Sequence, residues 1–61
     1  MKERDRIIAF LMQNFNYSYE TAITWLNVPN ANFGLSSPND LIKAGKFDKI
    51  MVFLISAKEG Y

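Results

Sequence analysis

Between Trp25 and Leu41 the chain reads WLNVPNANFGLSSPNDL, and this stretch sets the firmest limits on its fold. Pro29 disfavours the α conformation at Val28, so a helix entering from the N-terminal side must stop at about Asn27. Asn30 and Asn32 suit a turn, and Gly34 supplies a residue that takes positive φ without penalty. Ser37-Pro38 then restarts a helix. Ser37 is a good N-cap, Pro38 suits the first helical position, and Asp40 lies three residues past the cap, as in a capping box. The middle of the chain is therefore a connector between two helices. The single Trp stands at its entrance, where the ring can lie against the connector and fix its course. A buried indole N–H there needs a carbonyl acceptor.

The flanking segments read as helices. Ile7, Ile8, Leu11, Met12 and Phe15 recur at steps of three and four and predict an α-helix over 3–15. Glu3 and Asp5 occupy its first turn, where the helix dipole favours anions. Phe10 falls off that face and is either a second contact or an exposed ring. Asn14, Asn16 and Ser18 break the pattern. Ser18 can cap a second helix over 19–27, with Ala22, Leu26 and Tyr19 on one face and Trp25 beside it. A short third helix runs over 38–44 through Leu41 and Ile42, with Gly45 as its C-terminal stop.

The last segment, KFDKIMVFLISAKEGY, is the most apolar. Phe47, Ile50, Met51 and Leu54 form one stripe, and Val52, Phe53 and Ile55 cover much of the remaining circumference. The β-branched and aromatic content of IMVFLI also fits a strand. Helix over 47–57 is the better reading, because nothing else in the chain offers a strand partner. A helix apolar nearly all round must be buried on more than one side. The expected fold is all-α, a small bundle of four short helices in one domain spanning residues 1–61.

Size bears on this excess. A chain of 61 residues buries roughly 60% of the surface its unfolded form exposes. With 49% hydrophobic residues and no Cys to staple it, such a chain leans toward a partner or a second copy. Its net charge of +1 gives no electrostatic case for DNA or an anionic membrane. The connector, about ten residues long, exceeds the usual 3–4-residue turn of a helix-turn-helix DNA reader, so DNA binding is not expected. No apolar run approaches the ~18 residues of a membrane span. The start, MKERDRIIAFLMQNF, has acids in its charged part and no small-residue cleavage site, so the expected location is the cytoplasm.

The connector and the two segments after it also carry a family likeness. WLNVPNANFG followed by SSPNDLIKAGKFDKIMVFL resembles the toxin-binding domain of the Xre/MbcA/ParS antitoxins. Trp25, Leu26, Pro29, Asn30, Gly34, Pro38, Leu41, Gly45 and Leu54 follow that family's order and spacing. Phe33 stands where Leu is usual, and Leu35 where a second Gly is usual; a branched residue resists positive φ. The likeness runs from near Tyr19 to Gly60. It implies a helical, often dimeric domain that binds a toxin encoded beside it, many such toxins being RES-type and NAD-degrading. It implies no enzyme activity, neutralisation by steric occlusion with the C-terminal segment, and no cofactor. Typical members add an N-terminal helix-turn-helix that binds promoter DNA. This chain leaves no room for that module.

The candidate residues divide accordingly. Trp25, Pro29, Asn30, Gly34, Ser37, Pro38, Asp40 and Gly45 have backbone or packing roles. Phe53, Lys58, Glu59, Gly60 and Tyr61 are the candidate contacts with a toxin or a second copy. In the tail, Tyr61 puts an aromatic ring beside a free carboxylate, on a Gly60 hinge. Lys43, Lys46 and Lys49 form either a solvated face or a site for an acidic partner. No nucleophile–base pair, metal-ligand spacing or phosphate-binding loop is present. The alternative to an antitoxin is a homodimeric structural or regulatory protein that kept the fold without a toxin.

Overall fold

A computed structural model describes residues 2–60 and contains four α-helices and no strand among them. They are α1 (Glu3–Asn14), α2 (Tyr19–Asn27), α3 (Pro38–Lys43) and α4 (Phe47–Lys58), with a short 3-10 turn at Ala31–Phe33. The all-α expectation holds, and IMVFLI is helical. Boundaries shift by one residue at three ends. Phe15 and Ala44 serve as C-caps of α1 and α3, and α4 runs on to Lys58.

Each helix start and stop has a local cause. Ser18 Oγ accepts from the Thr21 amide at the head of α2, and Ser37 Oγ accepts from the Asp40 amide at the head of α3. The second half of a capping box does not form. The Asp40 carboxylate, one methylene shorter than Glu, makes no bond back to the Ser37 amide. At the end of α3, Gly45 takes φ +75°. The Lys46 amide then donates to Leu41 O at 2.8 Å and the Gly45 amide to Ile42 O at 3.0 Å. These two bonds form a Schellman motif, and α4 starts immediately after it. At the end of α1, Asn16 turns the chain with φ +58°.

The connector closes around Asn30. Its carbonyl accepts from the Phe33 and Leu35 amides at 2.9 and 3.0 Å, and its own amide donates to Ser36 O at 3.1 Å. Its side chain accepts from the Asn32 amide. Gly34 and Leu35 both take positive φ, +64° and +69°. Leu35 thus adopts the left-handed conformation that its branched side chain resists, held there by the bonds on either side of it. Asn39 donates to Asn27 and ties the start of α3 to the end of α2.

The core is one cluster: Ile7, Ile8 and Leu11 of α1, Ala22 and Leu26 of α2, Leu41 of α3, and Ile50 and Leu54 of α4. α1 packs on each of the other three helices. Phe10 is half-buried against this cluster and 6.2 Å from the Phe15 ring, so it is a second contact. Tyr19, which the spacing allowed on the buried face of α2, is exposed. Pro38 is fully buried, so it both starts α3 and packs. The radius of gyration, 10.6 Å, matches the roughly 10.5 Å of a compact chain this long.

Candidate partner-binding surface

The surface is organised by a row of three rings. Trp25, near the end of α2, meets Phe33 of the connector edge-on, with centroids 6.2 Å apart and planes at 83°. Phe33 meets Phe53 of α4 in the same manner, at 5.2 Å and 73°. Trp25 therefore braces the connector, through a ring and not through a carbonyl. Among the described residues its indole N–H meets no protein acceptor, and no buried side-chain nitrogen or oxygen there lacks a partner.

Beside the row, α1, α2 and α4 leave an open groove of about 190 Å³. Phe15, Tyr17, Trp25 and Phe53 line it, with Leu54 and Ala57 completing the lining of α4, and no charged side chain among the described residues borders it. Phe15 and Tyr17 lie 6.1 Å apart at its α1 end. Of the candidate contacts, Phe53 thus belongs to this groove.

α4 also has an outer side. Asp48, Val52, Ile55 and Glu59 fall at i, i+4, i+7 and i+11, which places them along one face, and all four are exposed. Val52 is 65% and Ile55 44% exposed. The expectation that α4 is covered on more than one side is therefore only half met. Ile50 and Leu54 are buried, Met51 and Phe53 are half-buried, and the outer face is open.

At the end of α4, Lys58, Glu59 and Gly60 are exposed. Gly60 has φ +86° and donates its amide to Ala57 O at 3.2 Å. It closes the last turn of α4, a helix stop where a hinge was expected. Tyr61 lies outside the described residues. Pro29 is exposed and Asn30 half-buried at the connector. Lys43, Lys46 and Lys49 are all exposed about the α3–α4 corner. Among the described residues no group of three or more His, Cys, Asp or Glu gathers as a metal set would, and no helix is long and apolar enough to cross a membrane.

Of the residues expected to make contacts, Phe53 lines the groove, and the sequence reading did not single out as contacts Phe15 and Tyr17, which line it too. One signal was available. From Ile7 to Asn39 the chain carries a single charged side chain, Glu20. A run so poor in charge on a small domain marks surface that does not need water on every side. Comparisons with protein families, with curated proteins and with solved structures return no match for this chain.

Proposed function

We propose that this chain is a protein-binding module of the antitoxin type, which neutralises a partner toxin by covering the approach to its active site in the cytoplasm. The outer side of α4 carries the reading: an apolar pair, Val52 and Ile55, left open on the helix that ends at Lys58, Glu59 and Gly60. Single exposed apolar residues are ordinary. Two at helical spacing, on the most apolar helix of a small domain, give a partner a strip to cover. In the family that the Trp25–Leu54 pattern resembles, the C-terminal segment does the blocking, and a RES-type, NAD-degrading toxin is the fitting target. The module acts by contact and not by catalysis. Its six acids, Glu3, Asp5, Glu20, Asp40, Asp48 and Glu59, are all exposed, at helix ends or on an outer face.

Co-expression with the product of the adjacent gene tests this. The expected result is a complex that co-purifies and restores growth, and an Ile55→Glu variant that loses both while keeping its helical signal. A neighbour that is not toxic, or that forms no complex, removes the reading. The second reading is a homodimeric regulator that has no toxin, and the charge-free aromatic groove favours it. That protein sediments as a dimer and relieves no toxin.

A further inference from the structure

We propose that a second pocket, where the connector meets α3 and the first turn of α4, binds a carboxylate carried on a short apolar body, with Lys49 pairing the carboxylate. The pocket holds about 320 Å³, and Asn32, Phe33, Gly34, Leu41 and Lys49 line it. That volume lies at the small end of the range for small-molecule sites, about 300–1,000 Å³. Its lining has two halves. Leu41 belongs to the core and Phe33 packs against it, and these two form the apolar half. Asn32 and Lys49 are exposed and form the polar half. Ligand sites combine an apolar surface with a few polar groups that fix orientation in this way.

Charge and donor count choose the ligand. Lys49 is the only charged residue in the lining, and no ion pair among the described residues involves it. The Asn32 backbone amide donates to the Asn30 side chain. The Asn32 carboxamide bonds no group among the described residues, so its N–H groups are free to donate. The lining therefore offers a cation and a neutral donor and contains no acid. A carboxylate, with two acceptor oxygens, can take a bond from each. A phosphate cradle needs several free backbone amides. The connector has spent its own, because the amides of Phe33, Gly34, Leu35 and Ser36 all donate to connector carbonyls.

The position of the lysine supports the same reading. Lys49 stands in the first turn of α4, and Lys46 is the N-cap, with no side-chain cap bond. The helix dipole disfavours cations at this end. Asp48 answers it, but on the outer side of the helix. Local conflicts of this kind gather at functional sites, and an anion bound at Lys49 removes the conflict. The pocket shares no residue with the outer strip of Val52 and Ile55, and binding there needs neither a toxin nor a second copy.

A free small acid and the C-terminal end of a peptide both present this chemistry. Titration of the isotope-labelled full chain, followed by amide NMR shifts, tests for it and separates the two sources. Isovalerate is the free acid, and acetyl-Gly-Gly-Leu is the peptide end. Isovaleramide and the C-terminally amidated peptide are their uncharged controls. The expected result is a saturable shift centred on Asn32, Gly34 and Lys49, with a Kd for the better carboxylate of about 1–10 mM. The uncharged controls are expected to bind at least about tenfold more weakly. Tighter binding of the peptide assigns the carboxylate to a chain end, and tighter binding of isovalerate assigns it to a free acid. Lys49→Met keeps an unbranched stem without the charge and is expected to weaken binding at least about tenfold. Lys49→Glu is expected to abolish binding while raising Tm by about 2–6 °C, because an acid suits the first turn. That pairing of lost binding with gained stability is not the signature of a lysine held for structure. No saturable shift with either carboxylate up to about 50 mM overturns the proposal. So does binding that is indifferent to Lys49→Met, or equal for the carboxylates and their amides. Toxin binding is read in a separate experiment, so either reading can fail while the other stands.

Discussion

Phe33 and Phe53 meet edge to face with centroids 5.2 Å apart, and this contact ties an irregular connector to the last helix of the chain. Ring pairs of this geometry contribute about 0.5–1.5 kcal/mol beyond their buried area. Phe33 also carries the contact to Trp25, so its removal frees two rings at once. Phe33→Ala is expected to destabilise the domain by about 2–3 kcal/mol, below the 3–5 of a fully buried Phe because this ring is half-buried. Urea denaturation reads the loss, and Trp25 fluorescence reports the change in ring surroundings directly. A loss under about 0.5 kcal/mol would show that the connector holds its course without the rings.

The two serine caps separate by burial. Each accepts one amide, from Thr21 at Ser18 and from Asp40 at Ser37. Ser18 is exposed, whereas Ser37 is only 8% exposed. Water can replace the lost acceptor at Ser18 but not at Ser37. Ser37→Ala is expected to cost about 1.5–2 kcal/mol and Ser18→Ala about 0.5–1. Equal costs in chemical denaturation would mean that burial does not matter at these caps.

Gly45 isolates a purely torsional effect. A Cβ at this position meets no atom within 4 Å, so a substitution there creates no clash. What remains is φ +75°. Gly45→Ala is expected to cost about 1 kcal/mol and Gly45→Asn less, since Asn tolerates the left-handed region. Thermal unfolding of the two variants checks the order. The reverse order would point to a contact of the Asn side chain and away from backbone strain.

The parts of the fold that were legible in sequence are those set by neighbours along the chain. Pro29, Ser37-Pro38 and Gly45 act within one turn of themselves, and each ended or began a helix at or within a residue of the expected place. The face of α1 was legible because its apolar residues keep one period. Tyr19 misled because an amphipathic ring fits either side of a short helix, and only the packing of α1 on Ala22 and Leu26 decides. The groove was hidden for a different reason. Phe15 and Tyr17 come from the end of α1 and the turn after it, Trp25 from α2 and Phe53 from α4, and no spacing along the chain reveals that their rings share one cavity. Leu35 stood out in sequence as an awkward residue for a turn, but whether the turn would yield or the residue would strain depends on the bonds that Asn30 makes.

The outer face of α4 provides the sharpest separation of fold from function. Val52 and Ile55 are 65% and 44% exposed, so a polar residue uncovers little apolar area at Val52 and a moderate amount at Ile55, far less than at a core position. Substitutions at a position as exposed as Val52 usually move stability within about 0.5 kcal/mol. Ile55→Glu also extends a side already carrying Asp48 and Glu59, and a carboxylate there stays in water. The variant is expected to keep its helical circular dichroism and to lose about 4–8 °C in Tm, from the apolar area uncovered and from repulsion with Glu59 one turn on. Its affinity for any protein that covers this strip is expected to fall at least about tenfold, because a charge forced into an apolar contact is desolvated without a partner. Ile50→Glu serves as the contrast. Ile50 is fully buried, and a charge there is expected to unfold a domain of this size. Titration calorimetry against the co-purified partner, run beside thermal scans of both variants, distinguishes the cases. If Ile55→Glu binds as tightly as the wild type, the partner does not sit on this side of α4, and its site must be sought on another face of the domain.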